Sequence, residues 1–144
     1  MTFFIDANVI VYGATSSEYR APCLAIIEAV AGGEADGRTS AAVLEEVWHL
    51  ELSGKAEGLN GLTERAYGAI APLLAVTEDA FRLALSLDAS ELGANDRLHA
   101  GTCLAHGIEV VVSADRGFDE LSELRRVDPL DATAVGRLVA GSAP

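Results

Sequence analysis

Cysteine, lysine and long apolar runs are what this chain has little of. Cys23 and Cys103 are its only cysteines, with no CxxC or Cys/His spacing. That excludes a disulfide framework and a cysteine zinc site, and predicts two core thiols in a reducing cytoplasm. Ten Lys and Arg stand against 22 Asp and Glu, a net charge of −12. So acidic a chain does not grip nucleic acid through a basic patch, because that affinity comes from cations neutralising phosphates. The charge leaves open a nuclease that meets phosphate through metal ions, and it suits a basic protein partner. No apolar stretch reaches the roughly 20 residues of a membrane helix. The N-terminus has no basic region and Asp6 cuts its apolar run, so no signal peptide is expected. Repeats and low-complexity segments are also missing. What remains is a chain of 144 residues, half of them hydrophobic, which is enough for one domain, residues 1–144, with a full core.

The first eight residues organise the rest. Phe3, Phe4 and Ile5 are too short a run for a helix and favour a buried strand ending at Asp6. An acid at a strand's exit lies where open α/β sheets bind ligands, and with Asn8 two residues on it is a candidate hard-cation ligand. A helix N-cap explains the same residues equally well. Beyond them, a helical turn to Tyr12 precedes a helix from Glu18 to about Val30, with Leu24, Ile27 and Val30 on one side. Gly37 to Thr39 connect to a helix that Ser40 caps. Gly54, Gly58 and Gly61 mark a flexible joint before a helix from Leu62 to Ile70, and a brief strand is expected at Leu73 to Val76. Thr77 opens a helix to about Ser90, and Asn95 with Asp96 opens another that His106-Gly107 stops. Ile108 to Ser113 is the clearest later strand, with Arg125 to Val127 and a last helix from Ala132 to Val139 after it. Strands separated by helices imply a three-layer α/β/α sandwich around a central parallel sheet.

Three further acids stand out. At 100° per residue, Val43, Val47 and Leu50 form one stripe of the Ser40 helix, widened by Leu44 and Trp48, with Glu46 at its edge and Glu45 turned outward. Asp96 heads a helix whose Ala100 and Cys103 are small enough for close approach to the sheet. Asp115 follows the Val110 to Ser113 strand as Asp6 follows the first. Each has an ordinary explanation as a solvated or capping acid, but two strands delivering an Asp to one sheet edge make coincidence less attractive. Asp119 is a weaker fifth, equally a turn acid. His99 and His106 lie about 10.5 Å apart along a helix, too far to share an ion. They and His49 are expected to be core or surface histidines.

Four segments in order, Ile5-Asp6-Ala7-Asn8, Thr39-Ser40 with Val43-Leu44-Glu45-Glu46, Asn95-Asp96-Arg97-Leu98-His99-Ala100 and Val112-Ser113-Ala114-Asp115-Arg116-Gly117-Phe118-Asp119, carry a resemblance. The chain resembles the PIN domain, specifically the VapC-like ribonuclease toxins of prokaryotic type II toxin–antitoxin pairs. The resemblance implies an acidic quartet of Asp6, Glu46, Asp96 and Asp115, with Asn8 and Ser113 in support, and RNA as the substrate. It also implies an antitoxin partner, which the net charge suggests should present a basic segment, in a homodimer or a hetero-oligomer with the antitoxin. Arg97 stands where that family usually has a small apolar residue. An oxygen-only cluster suits Mg²⁺ or Mn²⁺, which would activate water for attack on a phosphodiester, and Arg97 and Arg116 adjoin two of the acids as candidate phosphate contacts.

Two rivals stand beside this reading. A non-catalytic acidic α/β binding module leaves the strand-exit aspartates unexplained. An aspartate phosphotransferase with Asp6 as the phosphorylated group needs a lysine after a late strand, whereas the sole lysine, Lys55, sits in the glycine-rich joint.

Overall fold

In a computed structural model describing residues 1–144, Phe3-Phe4-Ile5 forms strand β1, wholly buried between helices on both faces of the sheet. Strands β2 (Gly37–Arg38), β3 (Val110–Val112) and β4 (Arg125–Val127) complete a parallel sheet in the order β2-β1-β3-β4. Phe4 lies opposite Val111 and Ile5 opposite Val112, so Asp6 and Ser113 leave the sheet side by side. Strands buried on both faces need apolar residues at every position, which is why β1 and β3 read as unbroken runs.

Helices α1 (Ala7–Ala14), α2 (Arg20–Ala31), α3 (Ala41–Ser53), α4 (Leu62–Ile70), α5 (Glu78–Ser86), α6 (Ala94–Ala105) and α7 (Ala132–Val139) flank the sheet. They give the three-layer α/β/α sandwich that the alternation implied. Ser40 Oγ caps α3 by accepting from Val43 N at 3.3 Å, and Thr77 caps α5 the same way. The tightest packing is α5 on α6. A methyl group on Gly101 would lie 2.2 Å from the Ala80 carbonyl oxygen, so only glycine lets the two backbones meet there.

Several expectations are corrected. The buried face of α2 is Cys23, Ile26 and Ala29, while Leu24 is exposed. Small residues let that helix pack closely, and they outrank the bulkier stripe one residue on. On α3 the buried residues are Val43, Leu44 and Val47, while Trp48 and Leu50 are exposed. Leu73 to Val76 is no strand. It makes one bridge, Ser40 with Leu74, and Pro72 has no N–H to extend the ladder. In the Gly54 to Gly61 joint, Gly54, Gly58 and Gly61 all hold positive φ (64°, 83° and 73°), which glycine adopts without strain. Helix α5 stops at Ser86, and residues 87–92 are a loop. A 3₁₀ turn at Arg116–Glu120, not anticipated from the sequence, follows Asp115.

Candidate metal centre and active site

Asp6 serves both roles that the sequence left open. Its Oδ1 accepts from Ala7 N at 2.8 Å at the start of α1, and its Oδ2 accepts from Asn8 Nδ2 at 2.7 Å and from Ser113 Oγ at 2.6 Å. Ser113 Oγ in turn accepts from Asn8 Nδ2 at 2.9 Å and from Asp115 N at 3.0 Å, and Asn8 Oδ1 accepts from Ala114 N at 3.1 Å. The hydroxyl's donor and both acceptor sites are thus used. Asn8 and Ser113 thereby lock the exit of β1 to the exit of β3, which fixes where Asp6 and Asp115 stand. Asp115 Oδ1 accepts from Gly117 N at 2.8 Å and so opens the 3₁₀ turn, while the residue itself is exposed.

Asp96 comes from the first turn of α6 and Glu46 from the middle of α3. Glu45 is exposed; the Glu46 side chain is 34% exposed and meets His99, whose Nε2 lies 3.1 Å from Glu46 Oε2. Burial pushes the Asp96 carboxyl up to about 6, and the neighbouring charges of Asp6, Asp115 and Glu46 push the same way. Burial raises Asp6 as well, against its hydrogen bond from Ser113. Desolvation and like charge both disfavour the ionised form of a carboxyl. Asp96 therefore feels the other three acids and Asp6 feels Glu46, and none of the ion pairs in the molecule joins any of the four to a lysine or arginine. Carboxylates gathered without cations repel by about 1 kcal/mol per pair at 4 Å even in water, and more where solvent is excluded. A divalent cation removes that repulsion. The donor chemistry fits a hard ion, because oxygen ligands with room for retained water suit Mg²⁺ or Mn²⁺. A ring nitrogen of His99 and carboxylate oxygens of Asp6 and Asp96 lie within 4.8 Å of one another.

The other expected site residues are placed differently. In place of a phosphate contact, Arg97 donates from Nε to the Leu92 carbonyl and from Nη1 to the Leu87 carbonyl, both at 3.0 Å, and from Nη2 to Ala89. It pins the 87–92 loop where a small apolar residue would leave three carbonyls unpartnered. Asp119 pairs with Arg126 through Nε at 2.8 Å and Nη2 at 3.1 Å, and this holds its carboxyl below the usual range. Arg126 also donates to the Ser113 carbonyl at 3.0 Å and to Asp128, so it braces the segment that carries Asp115. Arg116 is exposed beside Asp115 and takes part in no ion pair. Sequence reasoning overlooked two residues, His99 and Arg126. His99 shares a helical face with Asp96, three positions earlier.

The family model for the PIN domain matches residues 3–124. No curated protein sequence matches significantly. Among solved structures, VapBC2 from Rickettsia felis bound to a DNA fragment from its promoter aligns with TM-score 0.66 and 17% identity, covering 88% of this chain and 98% of that one. FitAcB from Neisseria gonorrhoeae gives 0.66 and 19%, over 90% and 99%. PAE2754 from Pyrobaculum aerophilum gives 0.61 and 16%, over 97% and 99%. At such identities the likeness is one of fold.

Proposed function

Because the chain belongs to the PIN domain family, matched over residues 3–124, we propose that it is a divalent-metal-dependent endoribonuclease and the toxin half of a toxin–antitoxin pair. What supports this reading is that carboxylate oxygens of Asp6 and Asp96 lie within 4.8 Å of each other and of a His99 ring nitrogen, with the charges of Glu46 and Asp115 felt at Asp96 and no lysine or arginine paired to any of the four acids. In it, Asp6, Glu46, Asp96 and Asp115 would hold Mg²⁺ or Mn²⁺. The bound ion supplies activation of water for in-line attack on a phosphodiester and neutralises charge on its oxygens. Asn8 and Ser113 keep the Asp6 carboxylate aimed through their hydrogen bonds, and Arg116 is the free cation beside the cluster for a substrate phosphate. A lysine-assisted phosphotransfer fits poorly, since Lys55 follows the end of α3, roughly 10 Å of helix axis beyond Glu46. The test is cleavage of RNA by the purified chain with Mg²⁺ or Mn²⁺. Cleavage should vanish with chelator and return on adding metal, and cleavage that persists in chelator would sink the metal-dependent reading.

The partner in this reading is an antitoxin whose arginine-bearing segment enters the acidic crevice. The structural likeness to VapBC2 and FitAcB supports a toxin–antitoxin pairing, and a chain at −12 attracts a positive segment. A guanidinium makes bidentate charge-assisted bonds with carboxylates and so competes with metal for the same oxygens. Binding should therefore weaken as salt rises and weaken again when the four acids are neutralised; calorimetric titration of the purified pair across ionic strengths measures both. A salt-independent complex would count against this mode of inhibition. Exposed Phe81 and Leu85 on α5, and Trp48, Leu52 and Tyr67 on α3 and α4, are apolar surface available for self-association. No helix is long and apolar enough to cross a membrane, and a cytoplasmic location goes with the reading.

A further inference from the structure

We propose that His99 is a positioning residue for the metal site: its Nε2–H holds the Glu46 carboxylate at the cluster. The inference rests on the metal-dependent nuclease reading and adds to it a residue outside the four acids.

Glu46 is the only one of the four acids carried on α3, its side chain is one-third exposed, and it is repelled by Asp6 and Asp96. A long, flexible carboxylate in that field turns to solvent unless something retains it. Within the protein the only hydrogen-bond partner of its side chain is His99 Nε2 at 3.1 Å. A carboxylate of this kind accepts, so the proton of the bond sits on Nε2. A nitrogen whose lone pair is committed to N–H cannot also bind an ion.

The ring has no freedom to change this arrangement. His99 is 1% exposed, and the buried Phe4 ring lies against it at 6.0 Å between centroids, tilted by 37°. Nδ1 is buried with no hydrogen-bond partner, so a proton there would have no acceptor. The one buried histidine of the molecule thus spends its single satisfied nitrogen on Glu46. Histidine suits the position because it is short and rigid enough to be fixed by core packing while presenting a donor at the core's edge. Outer-shell donors of this type orient metal-ligating carboxylates and tune their affinity.

The experiment is calorimetric titration of Mn²⁺ into wild-type protein and variants without RNA. His99→Leu should weaken binding by about 10- to 100-fold, the usual effect of losing an outer-shell partner. His99→Gln, whose amide reaches the place of Nε2, should restore most of it. In a Glu46→Ala background, His99→Leu should have little further effect, because the acceptor is already gone. Equal affinity in folded His99→Leu overturns the proposal; so does a His99→Gln variant as weak as His99→Leu, because a donor at that place would then not be what retains Glu46. Should the variants not fold, ¹⁵N spectra of the wild-type ring decide instead. A proton on Nε2 in the Mn²⁺-free and Mg²⁺-loaded protein is expected, and a proton on Nδ1 overturns the proposal. Wild-type protein that binds no metal would defeat the nuclease reading itself, an outcome distinct from any of these.

Discussion

Asp96→Asn is expected to abolish RNA cleavage and, in the same protein, to raise the unfolding midpoint of the metal-free state. The first effect follows from losing a carboxylate that would hold the ion. Metal assistance contributes several kcal/mol to such a reaction, which at about 1.36 kcal/mol per tenfold is a loss on the order of a thousandfold. The second follows from where Asp96 stands. Its carboxyl is pushed up to about 6 by burial first and then by Asp6, Asp115 and Glu46. At neutral pH without metal, its charge is therefore a liability to the fold, and an isosteric amide removes it. Asp6→Asn should be equally inactive but less stable, because Asp6 accepts three hydrogen bonds, from Ala7 N, Asn8 Nδ2 and Ser113 Oγ, and an amide nitrogen would face at least one of those donors. Initial rates on RNA and thermal unfolding in chelator measure both quantities. Full activity in the double variant would sink the nuclease assignment, and a destabilised Asp96→Asn would show that this carboxylate supports the fold.

The contrast between those two aspartates also marks how far the sequence could be read. The exits of β1 and β3 were legible because an apolar run that ends in an acid is a local pattern, and the parallel register then sets Asp6 beside Ser113. Glu46 was legible from helical phase, even though the stripe used to fix that phase was drawn too long, past Val47 to the exposed Leu50. What was hidden depends on contacts between distant segments. Arg97 reads as a cation beside an acid, and only the path of the 87–92 loop reveals three carbonyls waiting for it. Asp119 reads as one more acid of the cluster until β4 brings Arg126 against it. His99 is the instructive case. Its spacing to Asp96 is visible in the sequence, but its partner lies 53 residues away on α3, and no periodicity reports that. In α2 close packing selects Cys23 and Ala29 for the buried face, which the bulk of the neighbouring residues does not report.

The largest expected effect on stability is that of metal, and it should grow with pH. Asp96 has its ordinary value of 3.8 in the unfolded chain and about 6 in the fold, and Asp6 is shifted in the same direction. Between those values the native state keeps a proton that the unfolded chain has lost. Stability therefore falls as pH rises through this window, the reverse of the trend for a salt-bridged acid. Asp36 and Asp119 oppose it, being held low by Thr2 and by Arg126, but their contribution is lost only as pH falls through their own, lower values, and both are solvent-screened. Ion binding needs deprotonated carboxylates, so the affinity for Mg²⁺ or Mn²⁺ rises across the window in which the metal-free fold weakens. At a hundred times its dissociation constant the ion adds about 2.7 kcal/mol of stability. Denaturant unfolding with chelator should thus show a decline from acid to neutral pH, which metal offsets and Asp96→Asn flattens. A metal-free profile without that decline, together with identical midpoints in metal and in chelator at neutral pH, would mean that the four acids do not form the coupled cluster on which the proposed chemistry depends.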